Sequence, residues 1–88
     1  MKPIYNIRKG VWLNLFIVIA AFNEANVIAN IIAELKEISN NIIVVDDCST
    51  DNTASEANSA DPACVLKHPI NLGQGAALQT GIEYALLH

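Results

Sequence analysis

The sequence predicts an α/β protein, with a parallel sheet between two layers of helices in a three-layer β-α-β-α-β-α arrangement. One observation is the run of four β-branched residues at 42–45, which is typical of a strand buried on both faces in a parallel sheet. The other is that apolar, strand-like segments alternate with segments of helical periodicity along the chain. Such alternation indicates parallel strands joined by right-handed crossovers.

The first strand is predicted over residues 15–20 and the first helix over about residues 25–37. Apolar residues recur at helical spacing in that helix, and we expect them to form one stripe that is buried against the sheet. The stripe consists of Val27, Ile28, Ile31, Ile32, Leu35 and Ile38.

After the central strand, a short alanine-rich helix is predicted over residues 52–60. It follows Ser49, Thr50 and Asp51, which are residue types that cap helices. The third strand is predicted over residues 64–68 and the last helix over residues 75–87. Small residues at four-residue spacing in the last helix predict a close approach to the sheet: Ala77, Gly81 and Ala85.

Three strands are few for a sheet of this class, and the pattern stops after a helix, where another strand would ordinarily follow. We therefore expect residues 15–88 to be the amino-terminal part of a larger domain, truncated before its fourth strand. Residues 1–14 show no clear period and are expected to form an irregular arm that Trp12 anchors.

Composition excludes some classes of function. A net charge of −4 with only five Lys and Arg argues against a nucleic-acid surface, which needs clustered positive charge. The longest apolar run, residues 11–22, is interrupted by Asn14 and is shorter than the roughly 20 residues of a membrane helix. We expect a soluble, cytoplasmic protein. Cys48 and Cys64 should lie about a strand length apart, roughly 15–20 Å, so a disulfide is not expected.

Each loop at the carboxyl end of a predicted strand carries polar or glycine residues, namely residues 21–24, 46–50 and 71–75. These ends meet at one edge of a parallel sheet, where open α/β folds bind ligands. Asp46 and Asp47 should point to opposite sides of their strand, so that one carboxylate can turn into a crevice. The edge is therefore a candidate ligand site.

In this site Phe22 can offer an aromatic face to a base, and Asp47 can accept a hydrogen bond from a base N–H. Gly73 and Gly75 permit close backbone approach to a phosphate or sugar. Simpler structural roles stay open as well: the aromatic ring could pack against the first helix, residues 23–24 could cap that helix, and both glycines could only serve turns.

Standard motifs are absent. Residues 73–78 begin like a dinucleotide fingerprint but have Leu78 at the place of the third glycine, and no P-loop sequence exists. His68 and His88 are not spaced with Cys or Glu as metal ligands, and His68 is expected as a loop or core histidine.

Three segments resemble family 2 glycosyltransferases in order and spacing. Residues 17–24 read I-V-I-A-A-F-N-E and are similar to V-I-I-P-A-Y-N-E. Residues 44–53 read V-V-D-D-C-S-T-D-N-T and are similar to V-V-D-D-G-S-x-D-x-T, and residues 71–77 read N-L-G-Q-G-A-A and are similar to N-x-G-K-G-x-A. This chain departs from the pattern at four positions: Ala20 for Pro, Phe22 for Tyr, Cys48 for Gly and Gln74 for Lys. The last removes a positive charge that could face phosphate.

The resemblance implies the amino-terminal, nucleotide-sugar-binding part of a GT-A, Rossmann-like domain. The full enzyme would move a sugar from a nucleotide-diphosphate donor to a polyprenyl phosphate or glycan acceptor, in cell-envelope polysaccharide biosynthesis at the cytoplasmic face of the membrane. The implied nucleotide-binding residues are Ala21, Phe22, Glu24, Asp46, Asp47, Asn71, Gly73 and Gln74.

The resemblance also implies a divalent metal, Mg²⁺ or Mn²⁺, held by a D-x-D motif after a fourth strand, and a general base in the later half of the domain. No metal ligand or catalytic residue is therefore expected in this chain, which alone should not transfer sugar. If the family's strand order holds, the first strand has an unpaired edge, and a homodimer through it is expected.

Two other functions stay open. Residues 43–47 resemble the first strand and acid pair of a phosphoacceptor receiver domain, although here a full strand and helix precede them. A nucleotide-binding module without chemistry is the second.

Overall fold

The computed structural model describes residues 16–87, and the predicted arm with Trp12 lies outside them. The elements alternate as predicted, with bounds β1 Phe16–Ala21, α1 Ile28–Leu35, β2 Asn41–Asp46, α2 Thr53–Ser59, β3 Cys64–Lys67 and α3 Gln74–Leu87. The strands form a parallel sheet in the order β1-β2-β3. The predicted α/β class with strands and helices in strict alternation is confirmed.

The register of the sheet gathers the loops that follow the strands. Ala21 at the end of β1 pairs with Asp46 at the end of β2, and Asp46 pairs with Lys67 at the end of β3. All three strands therefore stop at one level. Within residues 16–87, β1 pairs with β2 alone, so its other edge has no partner strand.

Alternate residues of β2 serve two different cores. Ile42 and Val44 belong to the core that α1 and α2 cover, whereas Ile43 and Val45 pack with Ala77 of α3 on the other face. All four β2 residues are fully buried, as the β-branched run predicts. The sheet is thus the middle of three layers.

Helix α1 begins later than the periodicity predicts. The Glu24 carbonyl accepts hydrogen bonds from Val27 N–H at 3.0 Å and from Ile28 N–H at 2.9 Å, which closes a turn before the helix. Val27 and Ile38 flank the helix and are 47% and 48% exposed, so the predicted stripe is wrong at both ends. Its middle is confirmed by the buried residues Ile28, Ile32 and Leu35.

Helix α3 approaches the sheet closely, as its small residues predict. Ala77 and Gly81 are buried, and Ala85 is half-buried. A Cβ atom on Gly81 would lie 2.3 Å from Cγ1 of Val18 and 3.3 Å from Cγ2 of Val45. Only a residue without a side chain fits this crossing without a shift of its neighbours.

Two further expectations concern disulfides and membrane spans. Cys48 and Cys64 are both free thiols. Among the helices within residues 16–87, none has both the length and the apolar composition needed to cross a bilayer.

Candidate functional site

A crevice of about 140 Å³ opens at the carboxyl edge of the sheet, between the loop after β1 and the start of α3. All three loops of the predicted site contribute to its walls. The lining residues are Ala20, Ala21, Phe22, Glu24, Asp47 and Gln74. Pockets for drug-sized ligands are typically about 300–1,000 Å³. The crevice therefore suits one ring or a similar part of a ligand, not the whole of a large one.

Most of the predicted site residues meet in this crevice, but three do not line it: Asp46, Asn71 and Gly73. Ala20 lines the crevice and was not among the predicted residues. It is the next-to-last residue of β1, so its place beside the predicted loop was the available signal.

Phe22 is exposed at the mouth of the crevice. Its relative exposure is 45%, so the ring is not a core residue packed under the first helix. An aromatic ring presented in this way offers a free face for stacking.

The loop after β1 is fastened to the loop after β2 through Asn23. Its backbone N–H donates to Ser49 Oγ at 2.9 Å, and its side-chain Oδ1 accepts from Thr50 N–H at 2.8 Å. Asn23 adopts a left-handed conformation, with φ of 52°, which asparagine tolerates better than most residues. Ser49 is in turn held by Asp46, whose Oδ1 accepts from the Ser49 N–H at 3.2 Å and from its hydroxyl.

A second fastening involves Asp51 and Thr53 at the start of α2. The Glu24 N–H donates to Thr53 Oγ1 at 2.9 Å, and the Ala25 N–H donates to Asp51 Oδ2 at 3.2 Å. The Thr53 hydroxyl donates to Asp51 Oδ1, and this bond is the main reason why the pKa of Asp51 lies below its ordinary value.

These contacts correct the predicted capping. Asn52 is the residue at the N-cap of α2, and its side chain makes no capping hydrogen bond. Ser49 and Thr50 hold the two loops together, and Asp51 alone bonds to the first turn, through Thr53 N–H at 3.0 Å. The partners of Ser49 and Thr50 lie on a loop that is distant in sequence, so the local sequence could not predict them.

Asp47 is 4% exposed and anchors the loop before α3. Its Oδ1 accepts from Leu72 N–H at 2.9 Å and from His68 Nδ1 at 2.8 Å, and its Oδ2 accepts from Gly73 N–H at 2.7 Å. The bond from Leu72 and then the bond from His68 lower the pKa of the Asp47 carboxyl, and burial opposes them. Because each carboxylate oxygen can accept two bonds, Oδ2 keeps one acceptor position among the contacts that residues 16–87 make.

His68 and Thr80 belong to the same network, and sequence reasoning did not assign either to the site. His68 is buried, as expected of a core histidine, and its Nε2 lies 2.8 Å from Thr80 Oγ1. The available signal was position: His68 follows β3 directly and so lies at the same edge as Asp47.

Two backbone conformations explain glycine preferences in the motifs. Cys48, at a position where the resemblance has glycine, is left-handed with φ of 61°. Gly73 has φ of 96°, and a Cβ atom there would meet nothing within 4 Å. The conformation, and not lack of space, therefore favours glycine at position 73.

The charges of the crevice are acidic. Glu24 and Asp47 line it, and no Lys or Arg is among its lining residues. A neutral group that donates hydrogen bonds suits this wall better than a phosphate. Within residues 16–87, no three His, Cys, Asp or Glu side chains are grouped so as to hold a metal ion.

Comparison with known proteins gave two matches. The family model described as "Glycosyl transferase family 2" matches residues 16–86. The uncharacterized protein MJ1222 of Methanocaldococcus jannaschii is 45% identical over 75 residues, which are 84% of this chain and 30% of that protein. The chain therefore spans less than a third of the length of the curated relative it matches. No solved structure matches it.

Proposed function

The chain belongs to glycosyl transferase family 2, and from this premise we propose that it binds the nucleotide of a nucleotide-diphosphate sugar, with the base in the crevice beside Phe22 and Asp47. The observation that carries the proposal is the buried Asp47 carboxylate in the wall of the crevice, whose Oδ2 accepts one hydrogen bond within residues 16–87 and can accept a second. Uracil and guanine both present a ring N–H that could fill it.

The strength of this contact follows from its charge. A hydrogen bond to a charged group contributes about 1.5–3 kcal/mol, more than one between neutral groups. The pKa of Asp47 is lowered by its backbone donors, so the carboxylate is in its accepting form at neutral pH. Base recognition by Asp47 is thus the largest single term that we expect in nucleotide binding.

Phe22 supplies the second contact with the base. Its exposed ring lines the crevice, and a stacked aromatic pair contributes about 0.5–1.5 kcal/mol beyond the area it buries. The crevice has room for a base but not for a whole nucleotide sugar. We therefore place the ribose, diphosphate and sugar outside it.

The diphosphate is best placed along the loop that leads to α3. Glu24 and Asp47 would repel it inside the crevice, whereas Asn71 and Gly73 lie in that loop and Gln74 begins the helix. Backbone N–H groups at a helix start favour anions. Because the Gly73 N–H donates to Asp47, Gly73 would contribute only the close backbone approach predicted for it, and the N–H groups would come from the start of α3.

Asp46 has an indirect role in this proposal. It is 1% exposed, does not line the crevice and holds Ser49, which fastens the loop carrying Phe22. It therefore supports the nucleotide site without touching the ligand.

In the whole enzyme we propose transfer to a polyprenyl phosphate or glycan acceptor, for cell-envelope polysaccharide synthesis at the cytoplasmic face of the membrane. An acceptor oxygen would bond to the anomeric carbon, the nucleoside diphosphate would leave with the electron pair of the broken C–O bond, and a base outside residues 16–87 would take the acceptor's proton. Mg²⁺ or Mn²⁺, held by residues outside the described part, would stabilise the leaving diphosphate.

We also propose a homodimer through the unpaired edge of β1, since such edges recruit partners.

The receiver alternative loses support, because the acidic strand is second in the sheet's chain order and the family match is to glycosyltransferases. A module that binds nucleotide without chemistry is distinguished only by activity of the whole protein.

Titration calorimetry with UDP, GDP, ADP, CDP and inorganic pyrophosphate tests the binding proposal. We expect UDP or GDP to bind more tightly than pyrophosphate, and Asp47→Asn to weaken that binding by roughly 10- to 150-fold. Asp61→Asn is the matched control, because its side chain is 94% exposed and lies on the loop after α2. Equal affinity for pyrophosphate and every nucleotide would overturn the placement of the base.

A second assay tests our proposal that the chain alone does not transfer sugar. The chain is incubated with labelled nucleotide sugars, Mg²⁺ or Mn²⁺ and polyprenyl phosphate, and no product above the blank is expected. Metal-dependent turnover that Asp46→Ala abolishes would show that the chemistry lies within this chain.

A further inference from the structure

We propose that His68 is a positioning residue for nucleotide recognition, which acts through Asp47 and never touches the nucleotide. By donating from Nδ1 to Asp47 Oδ1, it restricts the rotation of the Asp47 carboxylate, so that the second acceptor position of Oδ2 stays available to the base. This inference rests on the proposed function.

His68 itself is held firmly from both sides. Its backbone N–H donates to the Asp46 carbonyl at 2.9 Å, which extends the pairing of β2 with β3 by one residue. Its buried ring lies 2.8 Å from Asp47 Oδ1 through Nδ1 and 2.8 Å from Thr80 Oγ1 through Nε2. The ring therefore bridges the acid at the crevice to helix α3.

The partners of the His68 ring indicate which of its nitrogens carries a hydrogen. An ionised Asp47 can only accept, so His68 Nδ1 carries the hydrogen of their bond. Thr80 has one hydroxyl proton and two acceptors within reach, His68 Nε2 at 2.8 Å and the Ala76 carbonyl at 3.0 Å. Thr80 therefore holds the Nε2 side of the imidazole against the backbone of α3.

The effect on the nucleotide follows from how the two Asp47 oxygens are used. Oδ1 is filled by His68 and Leu72, whereas Oδ2 holds Gly73 and has one position left. Without the bond from His68, the carboxylate keeps two of its three donors, one on each oxygen, and its rotation about the Cβ–Cγ bond is less restricted. Because His68 does not line the crevice, it can change base recognition only through its neighbours, and Asp47 is the one that both contacts His68 and lines the crevice.

Two substitutions of similar size separate positioning from packing. In His68→Asn the amide nitrogen reaches the place of Nδ1 and can still donate to Asp47, whereas in His68→Gln it reaches toward Nε2 and Thr80. We expect His68→Gln to weaken binding of the preferred nucleoside diphosphate about fivefold to tenfold, as the loss of one hydrogen bond predicts. His68→Asn should stay within about threefold of the wild type, and in His68→Gln pyrophosphate affinity should fall less than nucleotide affinity.

Equal losses in His68→Asn and His68→Gln would mean that the ring only fills space, and would overturn the inference. No loss in either variant would overturn it too. If neither variant folds, Thr80→Val and Thr80→Ser replace them, since they keep the ring and remove or retain the hydroxyl that orients it. Weaker nucleotide binding in the valine variant with recovery in the serine variant is then expected, and equal affinities would contradict the inference.

A measurement without nucleotide keeps this inference separate from the proposed function. Imidazole ¹⁵N shifts should show His68 protonated on Nδ1 in the wild type, and amide exchange at Leu72 and Gly73 should be faster in His68→Gln than in His68→Asn. A wild-type ring that carries no proton on Nδ1 would overturn the inference even if nucleotides bind. If no nucleotide binds, the proposed function fails, and with it the role in recognition, while these spectra still decide whether His68 holds Asp47.

Discussion

The two faces of the sheet are covered in different ways. On the face of α1 and α2, branched apolar side chains and two alanines pack in a continuous core: Ile17, Ile19, Ala21, Ile28, Ile32, Leu35, Ile42, Val44 and Ala57. On the face of α3, the fully buried set is smaller, Ile43, Val45 and Ala77, and half-buried side chains surround it. Most of the buried apolar residues within 16–87 lie on the first face. On the second face, next to the crevice, α3 covers fewer fully buried side chains.

The adjacent aspartates end β2 on these two faces and differ accordingly. Asp46 Oδ1 accepts two hydrogen bonds from Ser49, which holds the loops after β1 and β2 together. Asp47 anchors the loop before α3, and within residues 16–87 its Oδ2 keeps one acceptor position. One carboxylate holds two loops together, and the other lines the crevice in which we propose that the base binds. Neighbouring identical residues thus acquire different functions from the faces that they meet.

The largest effect is expected from the core of the α1 and α2 face. Ile32→Ala should lower the free energy of unfolding by about 2–5 kcal/mol, because Ile32 is fully buried among large side chains that cannot close the cavity. Leu86→Ala on α3 should change it by less than about 0.5 kcal/mol, since Leu86 is 81% exposed. Similar costs in urea unfolding would break the contrast between the faces.

The acid pair should separate when each residue is made an amide. Asp47→Asn replaces one oxygen with an NH₂ group that faces a donor, and should cost about 1–3 kcal/mol of unfolding free energy. Asp46→Asn should cost less than about 1 kcal/mol, because both donors from Ser49 go to Oδ1, which an asparagine keeps. Urea unfolding at neutral pH measures both, and equal losses would contradict this division of roles.

Close packing on the α3 face can be tested at Gly81. Gly81→Ala should cost about 1–3 kcal/mol of unfolding free energy, because the new methyl group meets Val18. Gly75→Ala is the matched control in the same helix, where nothing lies within 4 Å of the added Cβ, and it should stabilise slightly. Adding Val18→Ala to Gly81→Ala should recover part of the loss if the contact is the cause, and no recovery would count against it.

A smaller effect is expected in acid, since protonation weakens the bonds of Asp47 without removing the side chain. Its folded-state pKa is lowered, so its contribution to stability is fully present above the unfolded value of about 3.9 and is lost as pH falls through the folded value. Unfolding free energy measured from about pH 6 down to about pH 2 should therefore fall less steeply in Asp47→Asn than in the wild type. Identical slopes would show that Asp47 has the same pKa folded and unfolded.

The smallest effect is expected at Phe22, which lies at the crevice and outside both cores. Phe22→Ala should weaken nucleotide binding by about 0.5–1.5 kcal/mol and change unfolding free energy by less than about 0.5 kcal/mol. Phe22→Tyr keeps the ring and should bind as the wild type does. A large loss of stability in the alanine variant would instead indicate that the ring packs as a core residue.

Features that depend on neighbouring residues could be predicted from the amino-acid sequence. Side chains alternate along any strand, so the acid pair had to divide between two faces, and the β-branched run 42–45 had to be buried on both. Small residues at helical spacing predicted the contact that Gly81 makes. The gathering of three loops at one edge followed from parallel strands alone.

The hydrogen-bond partners of the polar side chains, in contrast, depend on how the loops pack against one another. Asn23 and Ser49 are 26 residues apart and bond because the register brings their loops together, and the same register placed His68 between Asp47 and Thr80. No local pattern encodes such contacts, because a side-chain donor is satisfied by whichever acceptor the packed fold brings within about 3 Å. Which carboxylate keeps an open acceptor position was therefore decided by tertiary contacts, although both carboxylates were plain in the sequence.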